Sequence, residues 1–574
     1  MEKNNNIVTI VSQTDSIDFV IRKMSMESKL VLNPGISIVL DDNFFLQGIL
    51  TDGDIRRAYV SNIDFSRDVS EIMTSSPVTL QDSVPESEIT SEIMRLVRLD
   101  ERFNADFIRH IIIVDKSNRF VNILEYYKIL DSLGSSVASV AIYGMGYVGV
   151  TLAVSLANIG YQVRGIDIDQ SLVDMLNNGK SHVHEPNLEE LLGKNISSKK
   201  IEFKLQLQDN SCSVYIIAVG TPLDENGKPV MDSLNQVLES LSSKLKHGDQ
   251  VMLRSTVPVG TTRDIVIPFL EKHSGLIAGE DFCVTFAPER TIEGNAMYEL
   301  KNLPQIVGGY GANCTKRSLN FWSTLTPHVV KMPSLESAEL VKLANNTFRD
   351  VSFAFANELA LLADRYNVDA FDLINCANEG YTRNKIPLPS PGVGGYCLTK
   401  DPVLFSSTSK GYRDDAVLGI ASRKINEKAA QYPHTLIKRY SKRIKKPINS
   451  LSILIIGIAF KGNPETNDIR GSVAIDLFNK IKKDVLQVLA WDAVLSRADL
   501  EVLGFNTPET LDEGIKQSDV VLIINNHLEN TSPYFYNSNK GRKLIFDGWS
   551  QLDRLAIENL PDNVYATMGY MTKE

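Results

Sequence analysis

Between Pro391 and Asp401 the chain reads PGVGGYCLTKD, which sets a cysteine behind two glycines and four residues ahead of an aspartate. Gly394 and Gly395 let the backbone pass close to a neighbour, and the residues after them have the character of a first helical turn. A thiol at a helix N-terminus, with Lys400 nearby, is expected to be acidified toward the reactive thiolate. Asp401 shares a helical face with Cys397 and could orient a water or stabilise a cation. Free cysteine is more often a small buried apolar residue. The glycines and the spaced carboxylate favour a nucleophile.

A second constellation is GMGYVG at 144–149, between the strand-like VAIY and the helical VTLAVSLANIG. Gly144 permits a tight turn, Gly146 lets backbone approach a pyrophosphate, and Gly149 allows close helix packing. The turn, with Tyr147 and Val148, then offers a helix N-terminus to phosphates. GxGxxG alone is a weak signal, but Asp167 ends the next strand, placed to accept hydrogen bonds from both ribose hydroxyls. A carboxylate there repels a 2′-phosphate, which favours NAD over NADP. AVGTP at 218–222 ends a further strand, where Thr221 can contact the cofactor, although a plain strand-end turn reads the same. STVPVG at 255–260 puts Thr256 at a strand tip, the place where open α/β sheets bind ligands.

Two more pairs have the i, i+4 spacing of one helical face. In ELVKLANN, Lys342 and Asn346 suit the stabilisation of an oxyanion. In APERTIEGNA, Glu289 and Glu293 suit a general base and a group near the cofactor. Taken alone, either pair also reads as a solvated helix face. His182 and His184 form an HxH with no further Cys or His nearby, so loop histidines are expected rather than a metal site. Cys212, Cys283, Cys314 and Cys376 have no motif around them and are expected to be structural.

These residues need elements to hold them. A chain of 574 residues exceeds one core and implies three or four domains. Residues 1–134 hold short strands and helices in two similar halves, and the small, polar DSLGSSVAS that comes next reads as a linker. Residues 137–330 alternate apolar strand runs with helical stretches, the βαβ pattern of a doubly wound parallel sheet. Residues 331–445 are helical, and 450–574 restart the alternation with SILIIGIAF, VLQVLAWD, SDVVLII and KLIFDGW. Two α/β domains joined by a long helix suit an enzyme holding two nucleotides face to face. A formal charge of −10 argues against a general nucleic-acid binder, and the basic KRYSKRIKKP at 438–447 reads as a solvated helix face. Five cysteines without paired spacing fit thiols in a reducing compartment. The start, MEKNNN, lacks an apolar signal core, and the longest apolar runs are strand-length, so a cytoplasmic protein without membrane segments is expected.

GMGYVG, HEPNLEELL, GTP, STVPVGTT, PExxxEG, KLANN, PGVGGxCLxKD and AFKGNPETNDIRGS occur in an order that resembles the nucleotide-sugar 6-dehydrogenases, the UDP-glucose, UDP-N-acetylhexosamine and GDP-mannose dehydrogenase family. The resemblance covers roughly 137–574. It implies two Rossmann-like doubly wound domains joined by a long central helical domain. It also implies four-electron oxidation of a primary alcohol to a carboxylate with two NAD. Cys397 would form a thiohemiacetal and then a thioester, Lys342 and Asn346 would stabilise the oxyanion, and Asp401 would orient or activate water. Glu289 matches the acid/base glutamate, and Thr256 the threonine at cofactor and water. Glu293 and Arg470 match cofactor contacts, while Phe460 and Lys461 match uridine-diphosphate contacts, with Gly394 beside the substrate. Arg383 in TRNK resembles an arginine reaching into a neighbouring subunit, which implies a homodimer or larger assembly. The SPGVGG–CLTKDP wording leans toward a UDP-N-acetylhexosamine such as UDP-ManNAc or UDP-GlcNAc over UDP-glucose or GDP-mannose. Uronates of this class feed surface polysaccharides.

The pattern is departed from in three places. Tyr396 precedes the cysteine where relatives often have histidine or serine, Leu172 stands where some place an arginine, and Trp549 replaces a common arginine. The last puts nucleotide and sugar selectivity in question. A two-electron dehydrogenase of the 6-phosphogluconate type would need neither the cysteine nor a second nucleotide domain. The N-terminal segment, through GILTDGDIRR at 48–57, resembles an α+β pair of CBS modules. Thr51 and Asp54 match groups that hold an adenosine ribose, which implies an adenine nucleotide at the pair. NILEYYKI in the second half lacks Thr-x-x-Asp. A dimerisation device without ligand, or a nucleotide sensor on an inactive dehydrogenase scaffold, are the competing readings of this segment and of the chain.

Overall fold

The computed structural model of the chain describes residues 8–27, 31, 35–85, 92, 110–125, 139–326, 328–408, 416–536, 543–560 and 563–573. The expected linker up to residue 138, and the end of NILEYYKI, lie outside the described residues. The chain divides into two compact units, residues 1–139 with 158–162 and 320–328, and the remainder.

In the first unit, apolar alternation makes strands whose buried faces meet. Strand β1 (Thr9–Ser12) precedes helix α1 (Ile17–Glu27) and pairs in parallel with β2 (Ile36–Leu40), which pairs antiparallel with β3 (Leu46–Thr51). Helix α2 (Asp52–Val60) comes next. The pattern then repeats: β4 (Thr79–Gln81) runs parallel to β5 (His110–Val114), and β5 antiparallel to β6 (Phe120–Glu125). Both antiparallel pairs shift register at the same place, Val39/Leu40 and Ile113/Val114. The two turns are equivalent as well. The Asp41 carboxylate accepts from the amides of Asn43 and Phe45, and that of Asp115 accepts from Ser117 and Arg119. The turns meet: the Leu46 amide donates to the Asn118 carbonyl at 3.0 Å. Ile36, Ile38 and Leu40 of one half share a core with Ile112, Val114 and Ile123 of the other.

In the second unit, mostly apolar runs become largely parallel strands, several of them buried on both faces. Eight strands form one sheet: β7 (Ser139–Tyr143), β8 (Gln162–Ile166), β9 (Ile201–Lys204), β10 (Val214–Ile217), β11 (Gln250–Leu253), β12 (Cys283–Phe286), β13 (Gln305–Gly309) and β14 (Val329–Lys331). Their order is β14-β13-β12-β11-β10-β7-β8-β9. From β12 to β9 this is the doubly wound order that reverses between β7 and β10, where ligands bind beyond the carboxyl ends of the strands. A second sheet holds β15 (Ser452–Ile456), β16 (Gln487–Trp491), β17 (Val520–Ile523), β18 (Leu544–Asp547), β19 (Val564–Thr567) and β20 (Tyr570–Met571), ordered β16-β15-β17-β18-β19-β20. Its reversal lies between β15 and β17, so this domain follows the flavodoxin-like variant of the doubly wound plan. Pairing is antiparallel at β12–β13 and at β19–β20.

Helix α3 (Tyr147–Asn158) leaves the glycine turn after β7. Helix α4 (Leu335–Ala363) joins the sheets; its 29 residues span roughly 43 Å at about 1.5 Å each. Leu335 and Ala338 near its start lie in the core of the first sheet, with Val251 and Phe286. Ala360 and Ala363 near its end lie in the core of the second, with Ile453, Ile455 and Phe546. Helix α5 (Tyr396–Ser407) carries Cys397, and helix α6 (Val417–Ala429) packs across α4.

A buried polar lattice ties α4 and α6 to the chain leading into α5. Asp350 pairs with Arg423 at 2.7 Å and accepts from Ser422 at 2.6 Å and Asn426 at 2.8 Å. Arg423 donates onward to the Val393 carbonyl, and the Ser390 amide donates to Asn357. A buried charge is tolerated where a partner and hydrogen bonds meet it, and here they hold the Ser390–Val393 segment.

Candidate active site

A cavity of about 470 Å³ opens beyond the carboxyl ends of β7, β10 and β11, at the reversal of the first sheet. Its wall includes Gly144, Gly146, Tyr147, Val148, Asp167, Thr221, Thr256, Glu289, Glu293, Lys342, Gly394, Cys397, Phe460, Lys461 and Arg470. Residues from the first sheet, the long helix, the cysteine loop and the second sheet therefore face one space. Asn346, Asp401 and Gly149 lie behind the wall, and Arg383 stands outside it on an exposed segment.

The glycine turn has the form its spacing predicts. Gly144 has φ of 91°, and a β-carbon on Gly149 would come within 1.8 Å of the Gly144 carbonyl oxygen. A β-carbon on Gly146 would meet nothing within 4 Å, so the backbone there is bare toward the cavity. Asp167 accepts from the Met145 amide at 2.7 Å, which fixes its carboxylate beside the turn. Tyr147 instead supports a neighbouring segment. Its hydroxyl donates to Glu185 at 2.6 Å and lies 3.1 Å from the Ile292 carbonyl, holding the Glu293 loop. Glu293 Oε2 is buried and has no hydrogen-bond partner among the described residues, an acceptor left for a ligand. A bare turn, a fixed acidic residue and an orphaned carboxylate oxygen fit a dinucleotide.

Glu289 and Glu293 are not on a helix. Residues 287–292 are an extended loop after β12, so the four-residue spacing does not stack them. Glu289 accepts from Arg254 Nε at 3.1 Å and also from its Nη2. Burial pushes the Glu289 carboxyl up, but Arg254, the Thr291 amide and Lys342 together hold it below the ordinary range. It is an ionised acceptor. Glu293 is pushed up to about 7, first by burial and then by Asp468, against the pull of Arg470 and Lys461. Burial lowers Lys461 to about 8, and its Nζ donates to the Glu293 backbone carbonyl at 2.5 Å.

Cys397 occupies the first turn of α5, as the glycines before it imply. Their close approach is to protein: a β-carbon on Gly394 would lie 2.4 Å from the Gly471 carbonyl oxygen, and one on Gly395 would lie 2.7 Å from the Phe460 ring. The expected acidification does not hold. The thiol opens to the cavity yet is enclosed by protein elsewhere, and burial pushes it above the ordinary thiol range. Lys342 is the strongest opposing influence, ahead of Lys400, while Asp401 and Glu293 add to the rise. Asp401 is fully buried, accepts from Asn346 at 2.6 Å, and lies 3.1 Å from Lys400 Nζ. It positions those two side chains. Of the remaining cysteines, Cys212, Cys283 and Cys314 are buried, and Cys376 is exposed on a helix.

Arg254, Arg290 and Arg349 line the cavity though no sequence motif marks them out, and Tyr396 and Lys400 of the cysteine motif line it as well. Arg254 carried a signal: a charged residue ends the otherwise apolar run QVML. With Lys342, Lys461 and Arg470, the wall has seven basic side chains against the carboxylates of Asp167, Glu289 and Glu293, a positive basin in a chain of net charge −10. Such a basin attracts a polyanion. Among the described residues no group of His, Cys, Asp and Glu could hold a metal, and no helix is long and apolar enough to cross a membrane. Trp549, in the place of a common arginine, donates from Nε1 to the Ile524 carbonyl at 2.7 Å and braces the end of β17.

The raised thiol can be read directly. Alkylation by iodoacetamide, followed against pH, is expected to have its midpoint above that of an ordinary cysteine. Because Lys342 favours the thiolate, Lys342→Met is expected to move the midpoint higher still. A midpoint below the ordinary value, or one that falls in the variant, contradicts this account.

Family models match three consecutive stretches: the NAD binding domain of the UDP-glucose/GDP-mannose dehydrogenase family over 138–326, its central domain over 336–428, and its UDP binding domain over 454–554. The chain is 32% identical over 413 residues to a UDP-N-acetyl-D-mannosamine dehydrogenase of Pyrococcus horikoshii, covering 71% of this chain and 94% of that protein. It is 30% identical over 412 residues to an NDP-N-acetyl-D-galactosaminuronic acid dehydrogenase of Ralstonia nicotianae, covering 67% of this chain and 95% of that one. The solved UDP-N-acetyl-mannosamine dehydrogenase of Staphylococcus aureus superposes with a TM-score of 0.64 at 27% identity, over 75% of this chain and 98% of that one. With its three domains, its glycine turn and its cavity cysteine, the chain belongs to the UDP-glucose/GDP-mannose dehydrogenase family and is an NAD-dependent nucleotide-sugar dehydrogenase.

Proposed function

We propose that the chain oxidises the C6 primary alcohol of a UDP-linked N-acetylhexosamine, UDP-N-acetyl-D-mannosamine foremost, to the uronate through a covalent intermediate on Cys397. The observation that carries this reading is the position of the Cys397 thiol, in one cavity with the dinucleotide turn and with Phe460 and Lys461 of the second sheet. The activities for which the Pyrococcus and Staphylococcus relatives are named support the sugar.

The Gly144–Gly149 turn, Asp167, Thr221, Glu293 and Arg470 would hold NAD, which would supply the hydride acceptor for both oxidations. The remaining work falls to side chains. Lys461, with Arg349 near it, sets positive charge where a diphosphate must lie. Lys342 lies within electrostatic reach of both Cys397 and Glu289, which suits it to stabilise the oxyanion formed at C6. The ionised Glu289 accepts the hydroxyl proton, directly or through water, as C6 loses a hydride and becomes an aldehyde, and Glu289 then passes that proton to solvent. Cys397 sulphur then adds to the aldehyde carbon, its proton passing to the carbonyl oxygen, and gives a thiohemiacetal. Loss of a second hydride, with the hydroxyl proton taken by Glu289 and passed to solvent, leaves a thioester. Water, activated by Glu289 with Thr256 beside it, releases the carboxylate and restores the thiol. Asp401 acts through Asn346 and Lys400.

The same reading takes the assembly to be a homodimer or larger, with Arg383 serving a neighbouring subunit. Phe348, Phe355 and Leu362 recur every seven residues on α4 and are 73%, 56% and 48% exposed, an apolar stripe that suits a second copy. For residues 1–134, we take the CBS resemblance to mean an adenine-nucleotide sensor. The opposing consideration is local: Thr51 and Asp54 form a capping box, with Thr51 Oγ1 donating to Asp54 at 2.7 Å, and this alone accounts for both residue types.

Three measurements test these statements. NADH formed per sugar consumed, across UDP-ManNAc, UDP-GlcNAc, UDP-GalNAc, UDP-glucose and GDP-mannose, is expected to be two for UDP-ManNAc and to be lost in Cys397→Ser. One NADH with an aldehyde product, or turnover surviving that substitution, refutes the covalent route, and preference for UDP-glucose refutes the sugar. Light scattering of Phe348→Glu/Phe355→Glu is expected to give half the wild-type mass or less; an unchanged mass removes α4 from the interface. Calorimetry with AMP and ATP is expected to show binding that Asp54→Ala abolishes, whereas no binding by the full chain leaves the capping box as the whole explanation.

A further inference from the structure

Two glycines lead into α5, so neither residue 394 nor residue 395 has a side chain to steady the turn that carries the thiol. Tyr396 is the first residue able to do so. The Arg470 guanidinium carbon lies 4.8 Å from the Tyr396 ring centroid and Lys400 Nζ 5.5 Å, distances of cation–π attraction. Arg470 is itself held by Asp468, with Nε 2.9 Å from Oδ1, and its Nη2 is 3.4 Å from Glu293. The hydroxyl of Tyr396 reaches the other way. A β-carbon on Gly220 would lie 3.2 Å from it, and the Thr221 amide is close enough to favour its ionised form. Thr221 Oγ1 in turn donates to the Thr256 carbonyl and lies 3.4 Å from Lys400 Nζ. One side chain thus touches the helix of the nucleophile, the end of β10 on the cofactor side, and the Asp468–Arg470 segment after β15.

We propose that Tyr396 is a positioning residue of the oxidation at Cys397: ring against Arg470 and hydroxyl against Gly220–Thr221, it holds the Cys397 sulphur in register with the site of hydride transfer. This inference rests on the covalent reaction proposed for the chain. Burial keeps the phenol above its ordinary range, so it remains neutral and takes no proton. A loosened thiol adds late to the aldehyde, and the aldehyde escapes, so the role is visible in the products released.

The test compares Tyr396→Phe and Tyr396→Ala with the wild type in the full chain. Tyr396→Phe keeps the ring and is expected to lower kcat roughly fivefold, the worth of one hydrogen bond, with substrate KM nearly unchanged. Tyr396→Ala is expected to lower kcat about 100-fold, the cost of misplacing a reacting group. NADH per sugar should fall from two toward one, with aldehyde captured by a hydrazine in the medium. Independently of turnover, iodoacetamide should alkylate Cys397 several-fold faster in Tyr396→Ala without NAD. Full rate in Tyr396→Ala overturns the inference. So does a reduced rate with lower Tm but still two NADH per sugar and unaltered alkylation, the mark of a purely structural residue. A wild type that reduces no NAD with any nucleotide sugar overturns the reaction itself, and the inference with it.

Discussion

One uninterrupted helix holds the two halves of the cavity in a fixed relation. The start of α4 is embedded in the core of the first sheet and its end in the core of the second, so its axis is common to both. A sharp bend in a helix needs a proline, a glycine or an inserted group, and LESAELVKLANNTFRDVSFAFANELALLA has neither proline nor glycine. Lys342 and Asp350, roughly two turns apart, are therefore carried on the one axis that both sheets grip. Lys342 faces the thiol from this axis, and Asp350 anchors, through Arg423, the segment that delivers the thiol.

Around that axis the same cavity keeps ionisable groups in different states by giving each a different partner. Glu289 is buried and Glu293 half-buried, yet the first has Arg254 and stays ionised while the second has Asp468 for a neighbour and is pushed up to about 7. Cys397 has two lysines within reach and is still pushed up, because enclosure outweighs them. Two carboxylates and a thiol in one cavity are thus distinguished by surroundings rather than by residue type.

Much of this was legible in the sequence where the signal is local. The glycine turn and Asp167 are set by backbone needs within one βαβ unit, and the strands are apolar runs of strand length. Cys397 is marked by the two glycines that its neighbours Gly471 and Phe460 require. The features that stayed hidden depend on distant parts of the chain. Four-residue spacing suggested that Glu289 and Glu293 share a helix, but no apolar period supports one there, and the Tyr147–Glu185 contact shapes the loop instead. The withdrawal of Asp401 behind the wall comes from Asn346, 55 residues away. The sign of the shift at Cys397 depends on how tightly the rest of the molecule encloses it, which no short window contains. The reversal of the second sheet next to its first strand is likewise a matter of chain crossover, to which strand composition is blind.

The paired turns of the N-terminal unit have an implication for how that unit is constrained. Asn118 and Phe44 take the same left-handed backbone, with φ of 62° and 65°. Asparagine tolerates this conformation, whereas a bulky aromatic does so at a cost of about 1–3 kcal/mol. The ring recovers little by burial, since it is 58% exposed. The shape of the turn is therefore dictated from outside the residue that adopts it. The partner turn supplies the template, through the bridge between Phe45 and Arg119, and symmetry is kept even where one copy has a residue poorly suited to it.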